Sequence, residues 1–268
     1  MKKIKKPLIA IFIIANLYAI LCGGLYFFQD NLIFHPQQLP QEYAFDFDGD
    51  YKEVWVDAPD GARLNGLHFT VTNPKGVILY HHGNAGSLAQ WGQIAQPFVQ
   101  KGYAVIIMDY RQYGKSGGAL TEAALYDDSL LWYAFAKAQY PTTPITSYGR
   151  SLGTTFATYV ASKKEVSKLV LETPFYSILD EAQSRFSILP VERLLNYRLP
   201  TYSFINEVTA PITVIHGTED SVVAYEHGKA LYDSITTTTK TFVTVPGGDH
   251  NNLSEFEAYQ KATATLFE

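Results

Sequence analysis

A serine with small neighbours, in Gly149-Arg150-Ser151-Leu152-Gly153, stands between a short β-branched run, Ile145–Tyr148, and a stretch of helical spacing that runs to Lys163. A strand that turns sharply into a helix is the setting in which a G-x-S-x-G serine is presented as a nucleophile, and the glycines let neighbouring backbone approach the turn. Taken alone the pentapeptide is weak, because a serine ahead of a helix also serves as an N-cap. A serine hydroxyl is a poor nucleophile at its ordinary pKa, so a base must take its proton and a carboxylate must orient that base.

Both partners stand at strand ends further along the chain. Asp220 follows the apolar run Ile212–His216, and His250 follows Thr241–Val245 within Pro246-Gly247-Gly248-Asp249-His250. Glu219 and Glu172 are alternative carboxylates, Asp220 can also be read as a helix cap, and Asp249 adjoins the histidine in sequence. Of the other histidines, His81, His82 and His216 fall at strand ends and read as satisfied structural residues; His35, His68 and His227 have no motif around them. Acyl transfer also needs donors for the developing oxyanion. The backbone N–H of Leu152, at the start of a helix, is one expected donor. The backbone N–H of Asn84, in His82-Gly83-Asn84-Ala85-Gly86, is the other. Gly114-Lys115-Ser116-Gly117-Gly118 lacks a strand directly before it and is read as a loop rather than a phosphate cradle.

The elements that must position these residues alternate along the chain. Strands are predicted near Lys52–Asp57, Gly66–Val71, Val77–His82, Tyr103–Asp109, Ile145–Tyr148, Lys168–Glu172, Ile212–His216 and Thr241–Val245. Helices are predicted at Ser87–Gln100, Thr121–Gln139, Ser151–Lys163, Ala224–Ser234 and Asn251–Phe267. Ala58-Pro59-Asp60-Gly61 is a turn sequence, so the first two strands pair as a hairpin. The remaining strands need crossovers, which makes the class α/β with a mostly parallel eight-stranded sheet covered by helices on both faces. Phe175 to Thr209 is too long for a simple connection, and its aliphatic clusters predict a small helical cap over about 176–209.

Ahead of this domain, Lys2, Lys3, Lys5 and Lys6 precede an apolar run from Pro7 to Phe28 that is long enough to span a bilayer. Residues 1–28 are therefore expected to form a cytoplasmic basic end and a transmembrane signal anchor, with residues 29–268 as the catalytic domain. Lysines retained on the cytoplasmic side place that domain outside the cytoplasm, in the periplasm of a bacterium. The competing reading is a signal peptide cleaved near Cys22-Gly23-Gly24, releasing a secreted protein; the anchor is preferred because the run exceeds a usual signal core. Gln29–Asp50 is expected to lie over the domain without regular structure.

The 268 residues are 47% hydrophobic with a net charge of −5, enough for one sizeable core and with no basic patch for nucleic acid beyond the N-terminus. The lone Cys22 excludes an intramolecular disulfide and any multi-cysteine zinc site, and no histidine pair has zinc-ligand spacing with a third partner.

Together, the His82–Gly86 loop, Asp109-Tyr110-Arg111-Gln112-Tyr113-Gly114-Lys115-Ser116, the Ser151 turn, His216-Gly217 to Asp220, and Gly248 to His250 resemble the α/β-hydrolase superfamily from about Asp30 onward. Asn31-Leu32-Ile33-Phe34-His35-Pro36 after an apolar helix looks like the membrane-anchored group that includes protein depalmitoylases and lysophospholipid lipases. The resemblance implies the α/β-hydrolase fold and ester or thioester cleavage without a cofactor or metal. It implies a small acyl ester, a lipid or an acylated protein as substrate, and no obligate protein partner is evident. Two departures are visible: Gln112 replaces a usual glycine, and Asn251-Asn252 stand where relatives often carry Asn-Asp. A peptidase or amidase on the same Ser-His-Asp set, and a non-catalytic binding protein that keeps the fold, are the competing functions.

Overall fold

The computed structural model describes residues 5–268. In chain order the elements are α1 (Lys5–Ile33), β1 (His35–Pro36), β2 (Tyr51–Asp57), β3 (Arg63–Phe69), β4 (Gly76–His81), β5 (Ala85–Gly86), α2 (Leu88–Trp91), α3 (Gln96–Gln100), β6 (Tyr103–Met108) and α4 (Glu122–Gln139). They continue with β7 (Ile145–Arg150), α5 (Gly153–Lys163), β8 (Lys168–Glu172), α6 (Ile178–Arg185), α7 (Val191–Leu194), α8 (Thr201–Ile205), β9 (Ile212–Gly217), α9 (Tyr225–Ser234), β10 (Lys240–Val245) and α10 (Glu257–Leu266).

Eight strands form one sheet in the order β10-β9-β8-β7-β4-β6-β3-β2. The hairpin β2–β3 is antiparallel, and β3 is also antiparallel to β6; every other pairing is parallel. Strands buried on both faces are largely apolar on both, as β6 is along its whole length and β4 is up to His81. The stretch expected as one helix over Ser87–Gln100 breaks instead into α2, a 3-10 turn over Gly92–Ala95 and α3. Pro97 in the first turn of α3 lacks the N–H that a continuous helix would require. The cap consists of the short helices α6, α7 and α8, inserted between β8 and β9.

The N-terminal helix runs five residues further than the apolar run suggested, to Ile33, so Gln29–Ile33 are helical rather than irregular. Pro7–Ile33 is long and apolar enough to cross a membrane, with a mean hydropathy of 2.4 over its most apolar 18 residues. Past α1 the chain crosses the domain through the two-residue parallel ladder of β1 with β5, which seats His35 against Ala85.

Candidate active site

The turn after β7 is tight by necessity. Ser151 has φ of 51°, a left-handed backbone that costs free energy for a residue with a Cβ. Its N–H donates to the Glu172 carbonyl at 2.9 Å, and its own carbonyl accepts from the N–H and the hydroxyl of Thr154. A Cβ on Gly149 would lie 2.4 Å from the Gly153 carbonyl oxygen, and one on Gly153 would lie 2.0 Å from that of His81. Neither flanking position can hold a larger residue without displacing backbone.

His250 and Asp220 come together from the ends of β10 and β9. The Nδ1 of His250 lies 2.8 Å from Asp220 Oδ2 and 3.0 Å from Oδ1. A carboxylate only accepts, so Nδ1 carries the proton and Nε2 is left as the basic nitrogen. Arg150 links this pair to the serine turn, donating from Nη2 to the His250 carbonyl at 3.0 Å and to Asn251 Oδ1 at 3.2 Å.

The Asp220 side chain is fully buried, with an exposure of 0%. Burial alone would raise its pKa, but hydrogen bonds from His216 and His250 and from the Val223 N–H outweigh that and hold it well below the usual carboxylate range. Two of the other candidate carboxylates are committed elsewhere. Glu172 accepts from the Tyr148 and Tyr259 hydroxyls and pairs with Arg150. Asp249 accepts from the N–H and hydroxyl of Ser221.

His216 has a larger part than a strand-end position suggested. Its Nε2 stands 3.2 Å from Asp220 Oδ2 and 3.0 Å from the Val223 carbonyl. The helix beside it accommodates the ring through Gly228, where a Cβ would come within 2.1 Å of Nδ1. His81, expected to be satisfied, has no hydrogen-bond partner for either ring nitrogen among the described residues, and burial lowers its pKa to about 3. The surroundings of His81 come from the adjoining strands, whereas the His216 contact arises where the chain folds back over four residues at the strand end.

Asn84, Ser151 and Leu152 line one pocket of about 240 Å³. The 82–86 loop is fixed on three sides. Tyr110 donates its hydroxyl to the His82 carbonyl, Tyr113 to that of Asn84, and the Asn84 amide to the Ile33 carbonyl at the end of α1. Gln112, at the position where a glycine is usual, has φ of 68°, so the loop keeps a left-handed residue there without glycine. Most of the remaining lining is apolar and comes from α1 and the cap region, including Leu25, Leu32, Phe175, Ile178 and Leu189, with Gln29, Glu181 and Arg185 as its polar members. The boundary expected after residue 28 therefore runs through a helix that lines the pocket. Among the described residues no group of three His, Cys, Asp or Glu side chains is gathered to hold a metal.

A wound parallel sheet with a strained serine turn, and a histidine–carboxylate pair at the ends of its last two strands, defines a hydrolase fold. The chain belongs to the α/β-hydrolase family: residues 76–192 match the family profile described as alpha/beta hydrolase fold. Residues 201–257 match one described as Serine aminopeptidase, S33. An uncharacterized protein of Mycobacterium tuberculosis is 30% identical over 89% of this chain and 88% of its own length. Alpha/beta hydrolase domain-containing protein 17C of Xenopus laevis is 31% identical over 78% of this chain and 68% of its own. A lysophosphatidylserine lipase of Danio rerio is 32% identical over 59% of this chain and 46% of its own. Among solved structures, an esterase of Pyrococcus furiosus superposes with a TM-score of 0.69 at 21% identity, over 88% of this chain and 96% of that one.

Proposed function

We propose that this chain is a serine hydrolase that cleaves carboxylic esters or thioesters through an acyl-enzyme on Ser151. The observation that carries the reading is the His250–Asp220 hydrogen bond, tied through Arg150 to the strained Ser151 turn at the inner end of an apolar pocket. In this mechanism Nε2 of His250 takes the Ser151 proton as Oγ attacks the acyl carbon, and Asp220 stabilises the imidazolium. The Leu152 and Asn84 N–H groups receive the oxyanion; the leaving group departs with the proton from His250, and water then clears the acyl-enzyme by the same route.

Esterase and lipase relatives support an ester substrate, and the apolar lining supports an acyl chain. The profile described as a serine aminopeptidase covers Asp220 and His250, which keeps amide cleavage as a second reading on the same residues. Hydrolysis of p-nitrophenyl butyrate by the wild-type chain, abolished in Ser151→Ala, is the expected result. Turnover of aminoacyl amides but not of esters would move the assignment to a peptidase, and turnover of neither would favour a binding protein.

The helix α1 serves in this reading as a membrane anchor whose lysines stay in the cytoplasm, so the domain lies outside it. A domain digested by protease added to spheroplasts, whose inner membrane is intact, is the expected outcome; protection until that membrane is broken would reverse the orientation.

A further inference from the structure

We infer that the pocket opens sideways into the bilayer, with α1 as one wall of the acyl site, so that the substrate is an ester whose chain already lies in the membrane. The inference rests on Ser151 being the nucleophile and adds where the acyl chain comes from.

Counting along the helix sets the depth. A hydrocarbon layer about 30 Å thick takes about 20 helical residues, so a span that starts at Pro7 ends near Tyr26. Tyr26 falls where tyrosines concentrate at membrane boundaries. Leu25 and Leu32, which line the pocket, bracket that boundary. Gln29, buried within this region, holds the helix to the cap. Its amide donates to the Leu194 carbonyl at 3.1 Å and its carbonyl accepts from the Asn196 N–H at 2.7 Å.

A second element reaches the same layer. The cap loop Phe186-Ser187-Ile188-Leu189 exposes Phe186 at 49% and Ile188 at 87%, unusual for large apolar side chains in water. The Tyr18 hydroxyl donates to the Ile188 carbonyl at 3.1 Å, which places the loop beside α1 two turns on the membrane side of Tyr26. Two turns of helix correspond to about 11 Å, close to the depth at which interfacial apolar elements sit. Backbone groups at that depth need internal partners. Four of the loop's backbone groups have them: the Ile188 carbonyl accepts from Tyr18, the Phe186 N–H donates to the Ala182 carbonyl, and the Leu189 N–H donates to the Phe186 carbonyl. Phe186 and Leu189 also line the pocket, so the immersed loop and α1 together frame its mouth. A chain that passes between them leaves the acyl layer and reaches Ser151 without crossing water.

The test uses the full chain in phosphatidylcholine vesicles, with p-nitrophenyl palmitate carried in the bilayer and p-nitrophenyl butyrate supplied from solution. Leu25→Trp and Leu32→Trp narrow the mouth, and each is expected to lower the palmitate-to-butyrate ratio of kcat/KM by about tenfold, the scale of a misfit in an apolar pocket. Phe12→Trp, on α1 but outside the pocket, is expected to leave the ratio unchanged. In Ile188→Trp, emission above that of the wild type should be quenched by phospholipid brominated on its chains and not by aqueous iodide. An unchanged ratio in both mouth variants, or quenching of Ile188→Trp by iodide alone, overturns the inference. Wild-type rates on both esters in Ser151→Ala would instead overturn the nucleophile assignment.

Discussion

On the sheet side of the pocket, Ser151, His250 and Asp220 hang from the ends of β7, β10 and β9, where parallel ladders fix each backbone to its neighbours. On the helix side, Leu25, Leu32 and Leu189 hang from α1 and a cap of short helices held together by a few side-chain bonds such as those of Gln29. Two carboxylates show the difference. Asp220 is buried, yet donors from His216, His250 and Val223 keep it ionised. Glu181, on α6, is raised by burial, with His227 and Arg185 only partly opposing the shift, and its Oε1 lacks a hydrogen-bond partner among the described residues. One side is organised to hold charge in place, the other to exclude water, and substitutions on the two should differ accordingly.

Asp220→Asn should have the largest effect, because it removes the charge that fixes the His250 tautomer; a fall of about 10⁴-fold in kcat for butyrate ester hydrolysis is expected. A fall of less than tenfold would mean that another group orients His250. His216→Leu takes one donor from Asp220 while leaving His250 in place. The loss of one hydrogen bond to a charge corresponds to about a tenfold drop, with KM unchanged in steady-state kinetics. The smallest effect is expected on the helix side, from Glu181→Gln. A carboxylate raised in the fold contributes stability below its unfolded value, and that contribution is lost as pH rises through the folded one. The variant should therefore lose part of the stability change between pH 4 and pH 7, read from urea midpoints at both. Asp220 has the opposite sign: its contribution is present above about pH 4 and is lost as the medium becomes more acidic.

The sheet side was legible in the sequence because its residues sit in local punctuation. Ser151 has its glycines, and Asp220 and His250 each follow an apolar strand within a few residues. Strand positions came out within a few residues for the same reason, since doubly buried strands are continuous apolar runs. On the helix side the apolar helix and the cap are legible as elements, but the contacts between them are not. A membrane-length apolar run carries no periodicity to say which face meets the domain, and nothing in the sequence marks Gln29–Ile33 as its continuation. Gln29, a polar residue at the end of that run, was the one available sign of a specific contact. His216 has no motif to mark it, because its contact is with a carboxylate four residues ahead, folded back across the strand end.

The most direct test is to treat the wild-type chain with a fluorophosphonate and map the adduct by peptide mass spectrometry. The account predicts a single adduct on Ser151, absent from Ser151→Ala and slowed in Asp220→Asn. An adduct on another residue, or ester turnover that continues while Ser151 stays unmodified, would contradict it.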